Sequence, residues 1–170
     1  MTGTIEARIA RLEAAEAVRS AFAEYTHYID GRDFNALAEL FSEDAIFVAA
    51  NFPGGSGSRV ERTTREKIVA VARSLPQEIR HHSTNASINV SPDAKQADLS
   101  AYYLHVHAGG ISGGLYEGTF RHEADGGWRI WRWQVTAGWG LPTGAQDYAY
   151  SQPLSVQTLR KGRPVTSQST

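Results

Sequence analysis

A run of polar side chains sits where a strand should carry an apolar face. In Arg80-His-His-Ser-Thr-Asn-Ala-Ser-Ile-Asn-Val90, strict alternation puts His81, Ser83, Asn85, Ser87 and Asn89 on one side. His82, Thr84, Ala86, Ile88 and Val90 fall on the other. Such a polar face is either solvated or lines a wet cavity where its groups must find partners. The segment lies in the middle of a run of strands, which favours the cavity. Asp30 is the second unusual residue, at the end of the apolar side of a long helix and just before Gly31. A carboxylate there opposes the helix macrodipole and needs a donor, unless it only opens a turn. Tyr25, one turn earlier, is either core packing or a hydroxyl turned to a site. Imidazole, carboxylate and phenol are side chains of general acid–base catalysis.

Other arrangements carry less. His105 and His107 put two imidazoles on one face of a strand, and with His81 they would make three metal ligands. No Glu follows at short spacing, and Glu117, His122, Glu123 and Asp125 lie on the next strand, so the expectation is no metal. Glu117 and Glu123 read as solvent-face residues. Trp128, Trp131 and Trp133 spread over both faces of the last strand, as core or subunit interface more than as a stacking platform. There is no Gly-x-Ser-x-Gly elbow and no Gly-x-Gly-x-x-Gly between a strand and a helix. The loop Asn51-Phe-Pro-Gly-Gly-Ser-Gly-Ser58 lacks the Gly-Lys-Ser/Thr ending that cradles phosphate.

The elements that must hold these residues follow from composition and period. A chain of 170 residues fits one domain and needs no staple. Seventeen basic against 18 acidic side chains leave a net charge of -1, with no footprint for nucleic acid or anionic lipid. The absence of cysteine excludes disulfides, thiol nucleophiles and thiolate metal sites. No apolar run reaches the ~18 residues of a membrane span, and no signal-peptide core is present, so the expected compartment is the cytoplasm.

From Thr4 to about Tyr28 there is no Gly or Pro, and Ile5, Ile9, Leu12, Val18, Phe22, Tyr25 and Ile29 form one stripe that drifts across Ala14, Ala15 and Ala17. Thr4 is the expected N-cap and Gly31 the residue that ends the helix. Asp33 caps a short second helix carrying Phe34, Leu37, Leu40 and Phe41. A strand follows over 44–50, then a third helix from Thr64 to Leu75. Beyond Pro76 the pattern turns to strands: Ile79–Val90, Ala97–Ala108, Gly114–Glu123 and Trp128–Ala137, joined by turn sequences. Helices first and a meander after predict an α+β fold. From Leu141 the chain is polar and irregular, with Tyr148, Tyr150, Leu154, Val156 and Leu159 able to dock and a frayed end past Arg160. The division is a domain over 1–140 and a C-terminal extension over 141–170.

The segment from Val18 through Tyr25, Asp30-Gly-Arg-Asp and Phe41-Ser-Glu-Asp-Ala45 resembles the opening of SnoaL-like proteins of the nuclear transport factor 2-like superfamily. Arg80-His81-His-Ser-Thr-Asn85 and the Asp125-Gly-Gly-Trp128-Arg-Ile130 hairpin fit the same pattern, over roughly residues 5–140. Tyr25, Asp30 and the first His of His-x3-Asn resemble the subset with scytalone dehydratase, bile-acid 7α-dehydratase and hexachlorocyclohexane dehydrochlorinase. The dehydrochlorinase arginine would fall near Trp133 here, which disfavours halide elimination.

The resemblance implies a cone-shaped barrel, with N-terminal helices packed on a highly curved antiparallel sheet around a pocket. It implies an Asp30–His81 pair working with Tyr25, without cofactor or metal. Asp30 would hold one ring nitrogen of His81 so that the other is a base. Tyr103, His105, Asn85, Tyr116 and Trp133 are the expected substrate-binding positions. The activity implied is a dehydratase-like lyase or isomerase acting on a cyclic, largely apolar small molecule. The alternative is a non-catalytic small-molecule-binding or dioxygenase-small-subunit-like protein of the same fold. A homo-oligomer, trimer or dimer, is expected through the outer face of the sheet, because Trp128, Trp131, Trp133, Tyr102, Tyr103 and Phe120 alternate in facing and leave surplus aromatic surface.

Overall fold

Thr4 starts the first helix as its sequence requires: its hydroxyl accepts from the Ala7 N–H at 3.3 Å, and α1 runs Ile5–Gly31. The computed structural model describes residues 3–51 and 59–142. The apolar stripe of α1 is buried only from Ala14 onward; Ile5 is 67% exposed, and Ile9 and Leu12 are exposed as well. The drift across the alanines marks the point where the helix meets the sheet. At its end Arg32, not Gly31, takes the left-handed position, with φ 62°. Arg32 N–H donates to Ile29 at 3.1 Å and Asp33 N–H to Tyr28 at 2.9 Å, the paired bonds of a Schellman cap. The guanidinium holds this unusual residue there. It donates to the Leu75 and Arg73 carbonyls at 3.2 and 3.1 Å and lies over the Phe34 ring at 4.7 Å.

Asp33 caps α2 (Phe34–Glu39), accepting from Ala36 N–H at 3.0 Å. Phe41 belongs to the strand that follows rather than to this helix, fully buried at the start of β1 (Phe41–Ala50). The short strand β2 (Arg59–Thr63) was not foreseen, because its five exposed residues carry no apolar alternation. Then come α3 (Arg65–Arg73), β3 (Arg80–Val90), β4 (Gln96–His107), β5 (Gly110–His122) and β6 (Trp128–Pro142). The turn expected between Ala108 and Gly114 is shorter than that span, because β5 already begins at Gly110, which pairs with His107 across a tight turn. The docking residues expected beyond 140, and most of the glycine-rich loop, lie outside the described residues.

The six strands form one sheet in the order β2-β1-β6-β5-β4-β3. The expectation of an all-antiparallel sheet is corrected at one place, since β1 and β6 run parallel (Phe47 beside Trp133, Ala49 beside Val135). The whole meander separates these two strands in sequence, ample length for a parallel crossover. The sheet is mixed, and it is curled but not closed, with β2 and β3 as its edges. Register shifts in β1, β3 and between β5 and β6 supply the curl. Gly118 permits it locally: a Cβ there would stand 2.5 Å from the Trp133 ring.

α1 lies across the inner face. Val18, Phe22, Tyr25 and Ile29 meet Tyr103, Tyr116, Phe120, Ile130, Trp133 and Val135 in one core. The aromatic surplus is mostly absorbed within the chain. Trp133, Tyr103 and Phe120 face inward and are buried, and Trp128 packs against the core. Trp131 lies under the Arg121 guanidinium at 4.8 Å. Tyr102 and Ile111 are left exposed. Among the described residues no helix is long and apolar enough to cross a membrane.

Candidate active site

The polar strand is not the centre of the sheet but its edge, and its faces do not alternate throughout. Before the irregularity, His81 pairs with His105 and Ser83 with Tyr103; after it, Ile88 pairs with Leu99 and Val90 with Ala97. All four β4 partners are buried. One extra residue between Thr84 and Ser87 shifts the phase, with Asn85 at φ 55°. The inner face of β3 therefore carries His81 and Ser83, then Ile88 and Val90. Asn85, expected to bind substrate, sits exposed in the bulge and is not brought to the others. Ser87 and Asn89 are simply solvated.

At the end of α1 the Asp30 carboxylate uses both oxygens on one residue. Oδ1 lies 2.5 Å from His81 Nδ1, and Oδ2 accepts from the His81 backbone N–H at 3.0 Å. These donors answer the carboxylate that the helix dipole disfavours. The His81 side chain is 2% exposed and that of Asp30 20%. With an ionised Asp30 as acceptor, Nδ1 carries the hydrogen and Nε2 keeps its lone pair. Burial pulls the His81 pKa below the ordinary 6.5, only partly countered by the bond to Asp30 and its charge.

An aromatic floor continues from this pair. The His105 ring stands 4.2 Å from that of His81 and stacks on Tyr103 at 4.2 Å. His105 Nε2 meets the Tyr116 hydroxyl at 2.8 Å. Burial first, then the neighbouring His81 and His107, pushes the His105 pKa down to about 3, so this imidazole stays neutral. Tyr103 stacks on Tyr116 at 4.6 Å, and Tyr25 packs against Tyr116 at 6.0 Å and Trp133 at 4.9 Å. Burial raises the pKa of all three tyrosines, which keeps them as phenols. Trp133 Nε1 has no partner at hydrogen-bond geometry, although the indole is near enough to Tyr25 to offset a little of that rise. Seven of the eight expected site residues thus form one contiguous array.

His105 stays beside His81, and its Nε2 is engaged by the Tyr116 hydroxyl. His107 turns away to accept the Gly109 N–H at 3.1 Å. Among the described residues no three His, Asp or Glu side chains converge as a metal-ligand set. Phe22, placed by sequence only in the helix stripe, also borders the array, 6.0 Å from Tyr116 and 5.8 Å from Trp133. What the array offers chemically is one oriented imidazole beside neutral hydrogen-bonding groups over an apolar floor.

No curated protein matches the sequence. Solved structures do. A protein from Novosphingobium aromaticivorans DSM 12444, provisionally assigned as a scytalone dehydratase, is 20% identical over 87% of this chain and 97% of its own, with TM-score 0.65. The hexachlorocyclohexane dehydrochlorinase LinA-type3 from Novosphingobium barchaimii LL02 is 16% identical over 85% of this chain and 99% of its own, with TM-score 0.68. ActVI-ORFA from Streptomyces coelicolor is 26% identical over 72% and 95%, with TM-score 0.53. These likenesses show a shared fold. The SnoaL-like domain family matches residues 10–134, from the exposed start of α1 to Gln134 in β6, and this chain is a member of that family.

Proposed function

We propose that this protein is a cofactor-free, dehydratase-like lyase or isomerase acting on a cyclic, largely apolar small molecule. The observation that carries this reading is the half-buried Asp30–His81 pair, 2.5 Å between Oδ1 and Nδ1, at the edge of an aromatic floor. Asp30 fixes the tautomer, so His81 Nε2 takes a proton from carbon beside a carbonyl. The electron pair passes to the carbonyl oxygen. Tyr25, with Tyr103 or His105, hydrogen-bonds that oxygen; as the pair returns to form the carbon–carbon double bond, the leaving hydroxyl takes a proton from Tyr25 and departs as water, and the proton held by His81 restores the phenol. In the isomerase version the proton returns to a different carbon. The test is exchange of a carbon-bound proton for deuterium across cyclic hydroxy-ketones. Binding without exchange or turnover would favour the non-catalytic alternative.

The pH profile follows from the lowered His81 pKa. The base is the neutral imidazole, so kcat/KM should be flat above pH ~6.5 and fall tenfold per unit on the acid side. The midpoint should lie below 6.5. Stability moves in the same direction. An unfolded histidine takes a proton near 6.5, whereas folded His81 and His105 resist it, so the unfolded state binds more protons below that pH. Tm should therefore fall as pH drops from 6.5 toward 3. A midpoint above 6.5 would contradict the assignment of His81 as base.

The chain division at residue 140 and self-association are further parts of this proposal. Outward-facing Tyr102, 40% exposed, continues into Ile111, Leu104 and Val106 on β4 and β5. Light scattering at micromolar concentration should give a dimer or trimer mass, and a monomer mass would end that part.

A further inference from the structure

Three buried side-chain polar atoms among the described residues lack a hydrogen-bond partner: Ser83 Oγ, Arg121 Nε and Trp133 Nε1. Two have local explanations. The Arg121 guanidinium is already tied to Asp44 and Glu123 and stacked on Trp131, and the Trp133 indole lies against Tyr25. Ser83 has neither. A buried hydroxyl left unmatched is a standing cost in the folded state, so a specific one asks for a reason. Its position supplies one. It lies on the inner face of β3, two residues from His81 and paired with Tyr103. The bulge at Asn85 keeps it there; without that phase break, either Ser83 or Ile88 would face outward.

We infer that Ser83 contacts the substrate, its hydroxyl donating to the carbonyl oxygen next to the carbon that His81 deprotonates. Neighbours on one face of a strand stand ~7 Å apart, a separation across which one small ketone reaches both side chains. A serine hydroxyl changes place by rotation about one bond, so it can swing from its buried rotamer to an arriving oxygen. As charge grows on that oxygen the hydrogen bond strengthens, which makes Ser83 a donor for the transition state more than for the ground state. This assignment rests on the proton-abstraction reading above and adds an oxygen-recognition point to it.

The experiment compares the wild-type chain with Ser83→Ala, Ser83→Thr and His81→Ala, using two planar probes of similar size, 1-naphthol and 1-methylnaphthalene, in calorimetric titrations. The naphthol oxygen stands in for the enolate oxygen; the methyl compound has none. Ser83→Ala should weaken 1-naphthol about tenfold and leave 1-methylnaphthalene unchanged, while Ser83→Thr should stay within about threefold of wild type. Because the hydroxyl makes no hydrogen bond to another group of the chain, Ser83→Ala should melt no lower than wild type. Equal binding of 1-naphthol by wild type and Ser83→Ala would overturn the assignment. So would equal loss for both probes, no naphthol binding by wild type, or a lowered Tm, which marks a structural hydroxyl. Failure of the proton-abstraction reading appears separately, as exchange that survives in His81→Ala.

Discussion

Replacing His81 with Ala is expected to slow substrate proton exchange by ~10²–10⁴-fold, the usual worth of a positioned general base. The loss should fall on kcat, because the ring lies at the edge of the aromatic floor and contributes little to holding an apolar ligand. Asp30→Asn should act through the ring. The amide can still meet His81, but the negative charge that selects the Nδ1–H tautomer is gone, and so is the acceptor pair that clamps ring and backbone together. A competing assignment makes Asp30 itself the base, as in ketosteroid isomerase, one of the standard cases of carboxylate catalysis. The variants separate the two. If Asp30 is the base, Asp30→Asn abolishes exchange and His81→Gln keeps much of it. If His81 is the base, His81→Gln is as damaged as His81→Ala. The proposal takes histidine as the base because burial lowers the His81 pKa, which leaves the imidazole unprotonated at neutral pH, whereas a carboxylate must be shifted far upward to become a comparable base.

Trp133→Ala should cost ~3–5 kcal/mol of folding stability, the range for emptying a large aromatic site in a core. Trp133 is 1% exposed and touches Phe22, Tyr25, Tyr116 and Phe120, so its loss leaves a cavity under α1 that four rings border. For a chain of this size the drop in Tm is on the order of 10 °C. Trp133→Phe should recover about half, since it refills part of the volume and leaves no unpartnered indole N–H. Circular dichroism melts decide it. An unchanged Tm together with weakened ligand binding would mean that Trp133 serves the pocket rather than the core.

Much of this was legible in the residues themselves. Thr4 and Asp33 declared their helix starts, since each is a short oxygen-bearing side chain ahead of an apolar repeat. The strands of the meander declared themselves by turn chemistry. Asp30 was visible as a carboxylate on the apolar side of a helix and His81 as part of a polar strand face, whereas Tyr25 lay in the apolar stripe, where core packing alone accounts for it. What was not legible depended on long-range packing. Nothing local distinguishes Gly31 from Arg32 as the left-handed residue; the choice is made by the carbonyls at the end of α3, some 40 positions away, which the Arg32 side chain reaches. The parallel pairing of β1 with β6 is a property of the chain path. The face assigned to Asn85 failed because a period-2 count assumes an unbroken strand, and no residue type announces a bulge with certainty.

That bulge divides β3 into two stretches whose phases are set independently, and this bears on how such a protein can change. Ile88 and Val90 answer to the core, while His81 and Ser83 answer to Asp30 and to the polar end of the site. Substitutions at 83 can therefore explore new polar patterns while His81 keeps its bond to Asp30 and the apolar half its anchorage. A deletion of one residue at Asn85 or Ala86 would link the two halves again and force one of them to turn inside out. In laboratory evolution, point changes at Ser83 should be the productive route to new specificity, and length changes in this strand should be the lethal ones.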